Sequence, residues 1–357
     1  MSSPPRGLGT TSALASERIH ILGVGNLGKL IAHYLVKHDP QTPVTLLFHR
    51  PTLVSQWDAA GREIELVSDG EAQRSGGIDS ELLGGTGDGA PIKNLIVACK
   101  TFVTTSALDQ VKERLGRDST ILFLQNGMGT TDEVTSKLFP EESSRPQYWA
   151  GICVAGVYNT NPFSIVHAGK GPLTLGPVPS SSTEDSPDPK GNFMIEKLVS
   201  TTYLQATAVS AAEVRKVQLL KLAANAIINP LTALLNCKNG ELLDGGIKQD
   251  LVNRLVTEMG PVIRALLPPE QTETSGDFSD EKLLAYVQMV TEKTGKNTSS
   301  MLQDIRLGRK TEIDYINGFI VDRGEGFGFS CPKHAFLVDL VRSAWTIEDK
   351  EIPALFP

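Results

Sequence analysis

The feature that most constrains this chain is a glycine-rich turn between a strand-like run and a helical pattern. Residues 18–22 (RIHIL) lead directly into the turn, a helical pattern follows, and a second apolar run covers residues 44–49. The turn consists of Gly23, Val24, Gly25, Asn26, Leu27 and Gly28. In such a G-x-G-x-x-G turn the glycines allow a tight bend, close approach to a pyrophosphate and close helix–strand packing. Two interpretations stay open: a dinucleotide site at the helix N-terminus, and a tight turn that binds nothing.

Further apolar runs predict the rest of an α/β domain. Strand-like runs lie at residues 94–98, 120–124 and 150–157, and a helical pattern at residues 105–115 separates the first two. This alternation predicts a mostly parallel sheet with both faces covered. Residues 68–91 are rich in Gly, Ser and Asp and are predicted to form an irregular surface insertion, and residues 177–192 a second loop.

The pattern changes near residue 210. Ser210 is a candidate N-cap for a long helix, which Pro230 is expected to end. Further helical patterns cover residues 248–267, 280–294, 311–322 and 332–344. We therefore predict a disordered tail at residues 1–16, a Rossmann-like α/β domain at residues 17–210 and an all-α domain at residues 211–357.

Length and charge limit the classes of partner. A chain of 357 residues suits two domains with substantial cores. The net charge of −7 argues against nucleic acid, which needs a basic surface. No uninterrupted apolar run approaches the ~18 residues that span a bilayer, and residues 1–16 lack the apolar core of a secretory signal. Neither nucleic acid nor a membrane is therefore expected as a partner, and a homodimer is left open.

The four cysteines carry no metal-site pattern. Cys99, Cys153, Cys237 and Cys331 lie far apart, with no C-x-x-C pair and no clustered histidines. That excludes the usual zinc spacings, so no metal is expected. Reduced thiols fit an intracellular compartment, with the cytoplasm expected and the mitochondrion as the alternative. We expect all four to be buried packing residues.

The end of the second strand bears on which nucleotide would bind. An NAD enzyme places an acidic residue there for the ribose 2′-hydroxyl, whereas an NADP enzyme offers a cation to the 2′-phosphate. Here the strand ends at His49 and Arg50, and no acidic residue precedes Asp58. The sequence therefore favours NADP, and the alternative is that Arg50 is a solvated loop charge.

Three polar residues share one face of the long helix. Lys221, Asn225 and Asn229 are spaced i, i+4, i+8 among apolar and small residues. A lysine and two amides on a buried helix would be costly unless they are paired or bind a polar ligand. The alternatives are that the stripe faces water on a half-exposed helix or caps a neighbouring helix.

A second polar concentration covers residues 297–318. Thr311 and Asp314 form a candidate capping box, which would place Glu312 in the first helical turn. Structural interpretations remain open here as well. Ser299 or Ser300 would then be only an N-cap, and Glu312 would only balance the helix dipole.

Taken together, these segments resemble the ketopantoate reductase (2-dehydropantoate 2-reductase) family. The resemblance runs from about residue 18 to the C-terminus, and its motifs follow the family's order. The matching stretches are GVGNLG, ACKT around Lys100, LQNGMG around Asn126, KLAANAIINPLTALLNCKNGEL and SSMLQDIRLGRKTEIDYING. The last two are long and far more specific than the glycine motif.

The resemblance implies a Rossmann domain, a helical domain and an active site in the cleft between them. It implies NADPH-dependent reduction of ketopantoate to pantoate, in the pantothenate pathway that leads to coenzyme A. By its position in the matching stretch, Lys221 corresponds to the family's proton donor, and a lysine ammonium is charged at neutral pH. The substrate-binding matches are Asn225, Asn229, Asn239 and Ser300. The matches around the cofactor and reaction centre are the glycine turn, Arg50, Lys100, Asn126 and Glu312.

The implied chemistry leaves two rival functions open. Glu312 would hold the Lys221 ammonium or bind a substrate hydroxyl, while Ser300 and the asparagines bind the carboxylate. One rival is a related NADPH reductase of another 2-oxo acid or carbonyl. The other is a catalytically silent binding protein with the same fold. The chain also departs from bacterial members in its tail, its two insertions and His334, where an asparagine is expected.

Overall fold

The computed structural model describes residues 17–84, 89–179, 191–267 and 276–356. The predicted tail at residues 1–16 and most of the predicted loop at residues 177–192 lie outside the described residues. The chain forms two compact units. The first comprises the described residues up to Gln125 and from 130 to 214, and the second comprises Asn126–Gly129 and the described residues from Arg215 onward.

The first unit is built on a mostly parallel sheet. Its strands, in chain order, are β1 (Ile19–Leu22), β2 (Val44–Phe48), β3 (Ile64–Ser68), β4 (Glu71–Ser75), β5 (Asp79–Leu82), β6 (Asn94–Val97), β7 (Thr120–Phe123), β8 (Gln147–Cys153), β9 (Gly156–Asn161), β10 (Ser164–Gly169), β11 (Leu173–Pro177) and β12 (Ala206–Ala208). Eight of them form one sheet in the order β12-β11-β8-β7-β6-β1-β2-β5. All neighbours in it are parallel except β11 and β8. The predicted mostly parallel sheet is confirmed.

Helices connect these strands. They are α1 (Asn26–His38), α2 (Pro51–Ala59), α3 (Thr104–Asp109), α4 (Thr130–Leu138) and α5 (Phe193–Ser200). Alternate residues of one strand enter different cores: Ile21 belongs to one buried cluster and Leu22 to another. Because successive side chains of a strand point to opposite faces, both faces of the sheet are covered by apolar side chains.

A second, four-stranded sheet was not predicted. Its order is β4-β3-β10-β9, and it includes residues that the sequence analysis assigned to an irregular insertion. That interpretation of residues 68–91 is wrong over residues 71–75 and 79–82, which form β4 and β5. Both are edge strands with few buried residues, so their apolar alternation is weak. The run at residues 150–157, predicted as one strand, is divided between β8 and β9 in different sheets.

In the second unit every regular element within the described ranges is helical. The helices are α6 (Ala211–Leu235), α7 (Ile247–Ala265), α8 (Asp280–Lys293), α9 (Ser300–Arg306), α10 (Ile313–Gly326), α11 (Pro332–Arg342) and α12 (Ile352–Leu355). Their shared core includes Leu231, Leu255 and Ile320. By length and composition α6 resembles a membrane span, but 72% of its most apolar window is buried inside the protein. It is therefore a core helix of this unit.

Helix starts and stops test three predictions. Ser210 and Glu213 form the capping box of α6, with the Glu213 N–H donating to Ser210 Oγ at 3.2 Å, so the predicted N-cap is confirmed. The prediction that Pro230 ends this helix is wrong, because α6 continues to Leu235. The predicted capping box at Thr311 is also wrong. Helix α10 begins at Ile313, and Glu312 occupies the N-cap position without a side-chain cap bond.

The four cysteines form no disulfide, and they are not equally buried. Cys237 and Cys331 are buried, as expected, whereas Cys99 and Cys153 are only half-buried. The expectation that all four are core residues is therefore wrong for two of them. Burial raises the pKa of Cys237 to about 11 and that of Cys331 to about 11, so both stay protonated thiols.

His334, the departure noted near the C-terminus, is completely buried in α11. Its Nε2 donates to the Leu255 carbonyl at 3.1 Å and its Nδ1 faces the Asn317 amide at 2.9 Å. Burial lowers the pKa of His334 from 6.5 to about 4. The imidazole is therefore neutral in the folded protein near neutral pH.

This burial predicts a loss of stability on acidification. In the unfolded chain this histidine becomes protonated below about pH 6.5, whereas in the folded protein it stays neutral until about pH 4. The free energy of unfolding therefore decreases as the pH falls through the range from 6.5 to about 4. The loss approaches about 3 kcal/mol at its lower end. We expect urea midpoints at about pH 5 to fall further for wild type than for His334→Asn, which cannot titrate. Equal acid sensitivity of the two proteins would contradict the assignment.

Candidate active site

The glycine turn is held by close backbone contacts. Gly23 has a φ of +104°, and a Cβ there would lie 2.2 Å from the Cys99 backbone nitrogen. A Cβ on Gly28 would lie 2.1 Å from the Gly23 carbonyl oxygen. Only glycine is tolerated at either position, so the close backbone contacts between β1, α1 and the chain after β6 depend on these two glycines. Such a turn fits a phosphate-bearing ligand, because the N–H groups of the first helical turn have no partners within the helix.

Side chains at the start of α1 are occupied by the second sheet. The Asn26 amide donates to the Val157 carbonyl at 3.0 Å. Lys29 is buried and donates to the Pro162 carbonyl at 2.8 Å and to Asn159 Oδ1. Burial lowers the pKa of Lys29 to about 8. These two side chains therefore anchor α1 against β9, and the backbone of the turn is what remains available to an anion.

The other predicted cofactor residues of this unit follow neighbouring strands. The glycine turn follows β1, exposed Arg50 follows β2, and half-buried Lys100 follows β6. Since β2, β1 and β6 are adjacent and parallel, all three lie at the same carboxyl edge of the sheet. In the sheet, β2 lies on one side of β1 and β6 lies on the other side, so the strand order changes direction at β1. Ligands of open α/β sheets bind at such a switch point.

In the second unit, the polar stripe of α6 is only partly covered. Lys221 and Asn225 are half-buried and Asn229 is buried, while the positions between them on the helix are buried. The structure thus places the three predicted residues on a helix that forms the core of its unit. Their exposure decreases along the helix toward Pro230.

The loop before α9 meets the C-terminal half of α6. Thr232 of α6 and Ser299 share a hydroxyl hydrogen bond of 2.7 Å. Ser299 is also the N-cap of α9, since its Oγ accepts from the Leu302 N–H at 3.1 Å. Of the two serines, Ser299 is therefore the structural cap. Ser300 is exposed beside it, with its side chain outside the cap bond.

Asn239 is fixed by a directional network. Its amide Nδ2 donates to Thr294 Oγ1 at 2.9 Å, and the Thr294 hydroxyl donates to the Val290 carbonyl at 2.7 Å. Because a carbonyl only accepts, Thr294 must accept from Asn239, which fixes the orientation of the amide. Asn239 Oδ1 is then a buried acceptor with no partner within the described residues. Such an acceptor can take a hydrogen bond from an approaching donor, either a water molecule or a ligand hydroxyl.

Asn126 and Glu312 lie together at the start of α10. Asn126 Nδ2 donates to Glu312 Oε2 at 3.2 Å, and Glu312 is 6% exposed. The Met128 N–H donates to the Tyr315 carbonyl at 2.9 Å. Gly127, with a φ of +78°, allows this contact because a Cβ there would lie 2.2 Å from the Tyr315 oxygen. The NGMG stretch is thus shaped to bring Asn126 to Glu312.

Thr232 and Thr294 are supporting residues that the sequence analysis did not single out. Each orients a predicted site residue or its neighbour through a hydroxyl. No local signal identifies them, because a threonine in a helix or at its end can bond a carbonyl of its own helix without any role beyond it. In the described part of the chain, no group of three or more His, Cys, Asp or Glu side chains is arranged to hold a metal ion.

Comparison with known proteins identifies the family. Residues 19–180 match the family model described as ketopantoate reductase PanE/ApbA, and residues 213–344 match that of its C-terminal domain. The chain is 32% identical to a probable 2-dehydropantoate 2-reductase of Schizosaccharomyces pombe, over 92% of this chain and 96% of the relative. It is 30% identical to the ketoisovalerate reductase BEA2 of Gibberella fujikuroi, over 95% and 85% respectively.

A solved structure supports the same assignment. The structure of a probable 2-dehydropantoate 2-reductase from Bacillus subtilis matches with a TM-score of 0.68 and 26% identity, covering 92% of this chain and 99% of that one. The relatives thus reduce two different 2-oxo acids, going by their names. The α/β sheet, the helical unit and both family matches agree, and we conclude that the chain belongs to the ketopantoate reductase family and is an NADP-dependent oxidoreductase.

Proposed function

We propose that this protein reduces 2-dehydropantoate (ketopantoate) to pantoate, with hydride from NADPH and a proton from Lys221. The single observation that carries the choice of substrate is the buried, unpartnered acceptor Asn239 Oδ1. The carboxylate and the ketone of a 2-oxo acid only accept hydrogen bonds at neutral pH. Ketopantoate also carries a 4-hydroxyl, which can donate to Asn239, whereas ketoisovalerate has no donor.

The cofactor residues are assigned by their place at the sheet edge. The N–H groups at the start of α1 would hold the pyrophosphate, and Arg50 would pair with the 2′-phosphate. Lys100, at the same edge, would add a second cation. The reduced nicotinamide supplies the hydride when NADPH is bound.

Lys221 has the central role in the chemistry of the substrate. As hydride reaches the ketone carbon, negative charge builds on the ketone oxygen. The Lys221 ammonium would stabilise that charge and then donate a proton to the oxygen. Glu312, held by the Asn126 amide, would orient the ammonium. Ser300, Asn225 and Asn229 would bind the carboxylate. The product alcohol then leaves, and Lys221 regains its proton from solvent.

A reductase of 2-oxo acids without a hydroxyl is the second candidate. It is favoured by the 30% identity to a fungal ketoisovalerate reductase over almost the whole chain. Asn239 is the residue that distinguishes the two candidate functions. Of the two substrates, only ketopantoate has a hydroxyl that can donate a hydrogen bond to Asn239 Oδ1. Four cysteines without a disulfide support the cytoplasm as the proposed compartment.

Replacing Asn239 tests the choice of substrate. We expect wild type to prefer ketopantoate over ketoisovalerate by at least about tenfold in kcat/KM, because a site built for a hydroxyl rejects the analogue without it. Asn239→Leu should reduce this preference to about threefold or less. Asn253→Leu, the same substitution at an exposed asparagine of α7, is the matched control and should keep the wild-type preference. A wild-type preference for ketoisovalerate would favour the second candidate.

Lys221→Ala should lower kcat by about 10²–10⁴, the usual contribution of a positioned proton donor. NADPH affinity, measured by fluorescence titration, should change less than about threefold, because the lysine is assigned to the substrate. Lys216→Ala, on the same helix, is the control and should retain its turnover. Loss of NADPH binding with high residual turnover would show that Lys221 is a cofactor ligand.

Arg50→Ala should weaken the preference for NADPH. We expect wild type to use NADPH at least about tenfold more efficiently than NADH, which corresponds to roughly 1.4 kcal/mol from a charge-assisted contact. In the variant kcat/KM should fall for NADPH and stay nearly constant for NADH. Exposed Arg62→Ala serves as the control. Equal use of both nucleotides by wild type would refute the assignment of Arg50.

A further inference from the structure

Helix α6 passes through Pro230 without ending, and this creates a specific requirement. Proline has no N–H, so the carbonyl four residues earlier, that of Ala226, loses its helical donor. Ala226 is fully buried, which removes water as an alternative donor. It lies in the turn between Asn225 and Asn229, within the polar stripe. The geometry of that stripe therefore depends on what donates to Ala226.

The donor is Asn317 of α10. Its Nδ2 lies 2.9 Å from the Ala226 carbonyl oxygen, and the residue is 0% exposed. The same Nδ2 lies 2.9 Å from Nδ1 of His334. Asn317 Oδ1 has no partner within the described residues, so the amide is oriented to use both of its protons.

His334 completes the network with a defined tautomer. Its Nε2 lies 3.1 Å from the Leu255 carbonyl of α7, which can only accept, so Nε2 carries the proton. Nδ1 is then an acceptor, which is what the second Asn317 proton requires. The His334 backbone N–H also donates to Glu258 Oε1 at 2.9 Å. One continuous chain of hydrogen bonds thus joins α6, α10, α11 and α7.

We propose that Asn317 and His334 form a positioning pair for the reaction: they hold the proline-interrupted turn of α6 and thereby set the direction of Asn225, Asn229 and Lys221. The inference rests on the proposed function, because it takes these three residues to be the substrate machinery. Neither member of the pair touches substrate. Asn317 acts through Ala226, and His334 acts by accepting from Asn317.

The chemistry of the pair defines the informative variants. Asn317→Leu removes the donor to Ala226 and keeps the number of side-chain heavy atoms and their branching, and His334→Leu removes the acceptor that orients Asn317. His334→Asn keeps both an acceptor and a donor, as the neutral imidazole does. Val338→Ala, one turn along α11 in the same core, is the control for general destabilisation.

Two readouts separate positioning from stability. With NADPH and ketopantoate, we expect Asn317→Leu and His334→Leu to lower kcat/KM at least tenfold, with NADPH affinity unchanged within twofold. His334→Asn should retain activity within about threefold of wild type, and the two leucine substitutions combined should cost no more than either one alone. Val338→Ala should keep wild-type kcat/KM at a temperature where it is folded.

Hydrogen exchange tests the pair without relying on turnover. Peptides covering residues 219–235 should exchange at least tenfold faster in Asn317→Leu than in wild type. In Val338→Ala, exchange in these peptides should increase no more than exchange in the other peptides of the same unit. Unchanged exchange in Asn317→Leu, or an equal loss of activity in Val338→Ala, would overturn the proposal. If wild type reduces no 2-oxo acid but exchange responds as described, the proposed function fails while the structural pair stands.

Discussion

The continuity of α6 through Pro230 is the constraint on which the second unit depends. This helix supplies a large share of the unit's core, and it also carries the polar stripe of Lys221, Asn225 and Asn229. A proline in its last third would normally end it, since an N–H is lost and the ring crowds the preceding turn. Asn317 compensates for that loss from a neighbouring helix. Core packing and polar geometry are therefore coupled at a single buried carbonyl.

The first unit follows a different constraint, the approach of backbone to backbone at the glycine turn. Gly23 packs against the chain after β6, and Gly28 packs against Gly23. These contacts keep the start of α1 at the carboxyl edge of the sheet. The side chains of Asn26 and Lys29 in α1 donate hydrogen bonds to carbonyls of the second sheet and of the chain beside it. Side chains therefore hold the helix in place, while the N–H groups of its first turn remain for a ligand.

Much of the fold was predictable from local pattern. The buried strands β1, β2, β6 and β7 are short apolar runs, and α7, α8 and α11 begin and end within a few residues of their predicted bounds. Pattern failed where burial is partial. The edge strands β4 and β5 present mostly polar residues, so only their partners identify them as strands. The end predicted for α6 failed because its compensating donor lies 91 residues away along the chain.

The sequence by itself determined the residue types of the candidate site and their order: the glycine turn, the spacing of Lys221 with two asparagines, and motifs specific enough to indicate the family. Tertiary structure alone decided which polar atoms are occupied and which remain available. Ser299 is the N-cap of a helix, whereas Ser300 is not. The Thr294 hydroxyl donates to a carbonyl, so it accepts from the Asn239 amide and Asn239 Oδ1 remains an available acceptor. Hydrogen bonds are directional and each proton has one main acceptor, so such assignments depend on three-dimensional neighbours that no linear pattern contains.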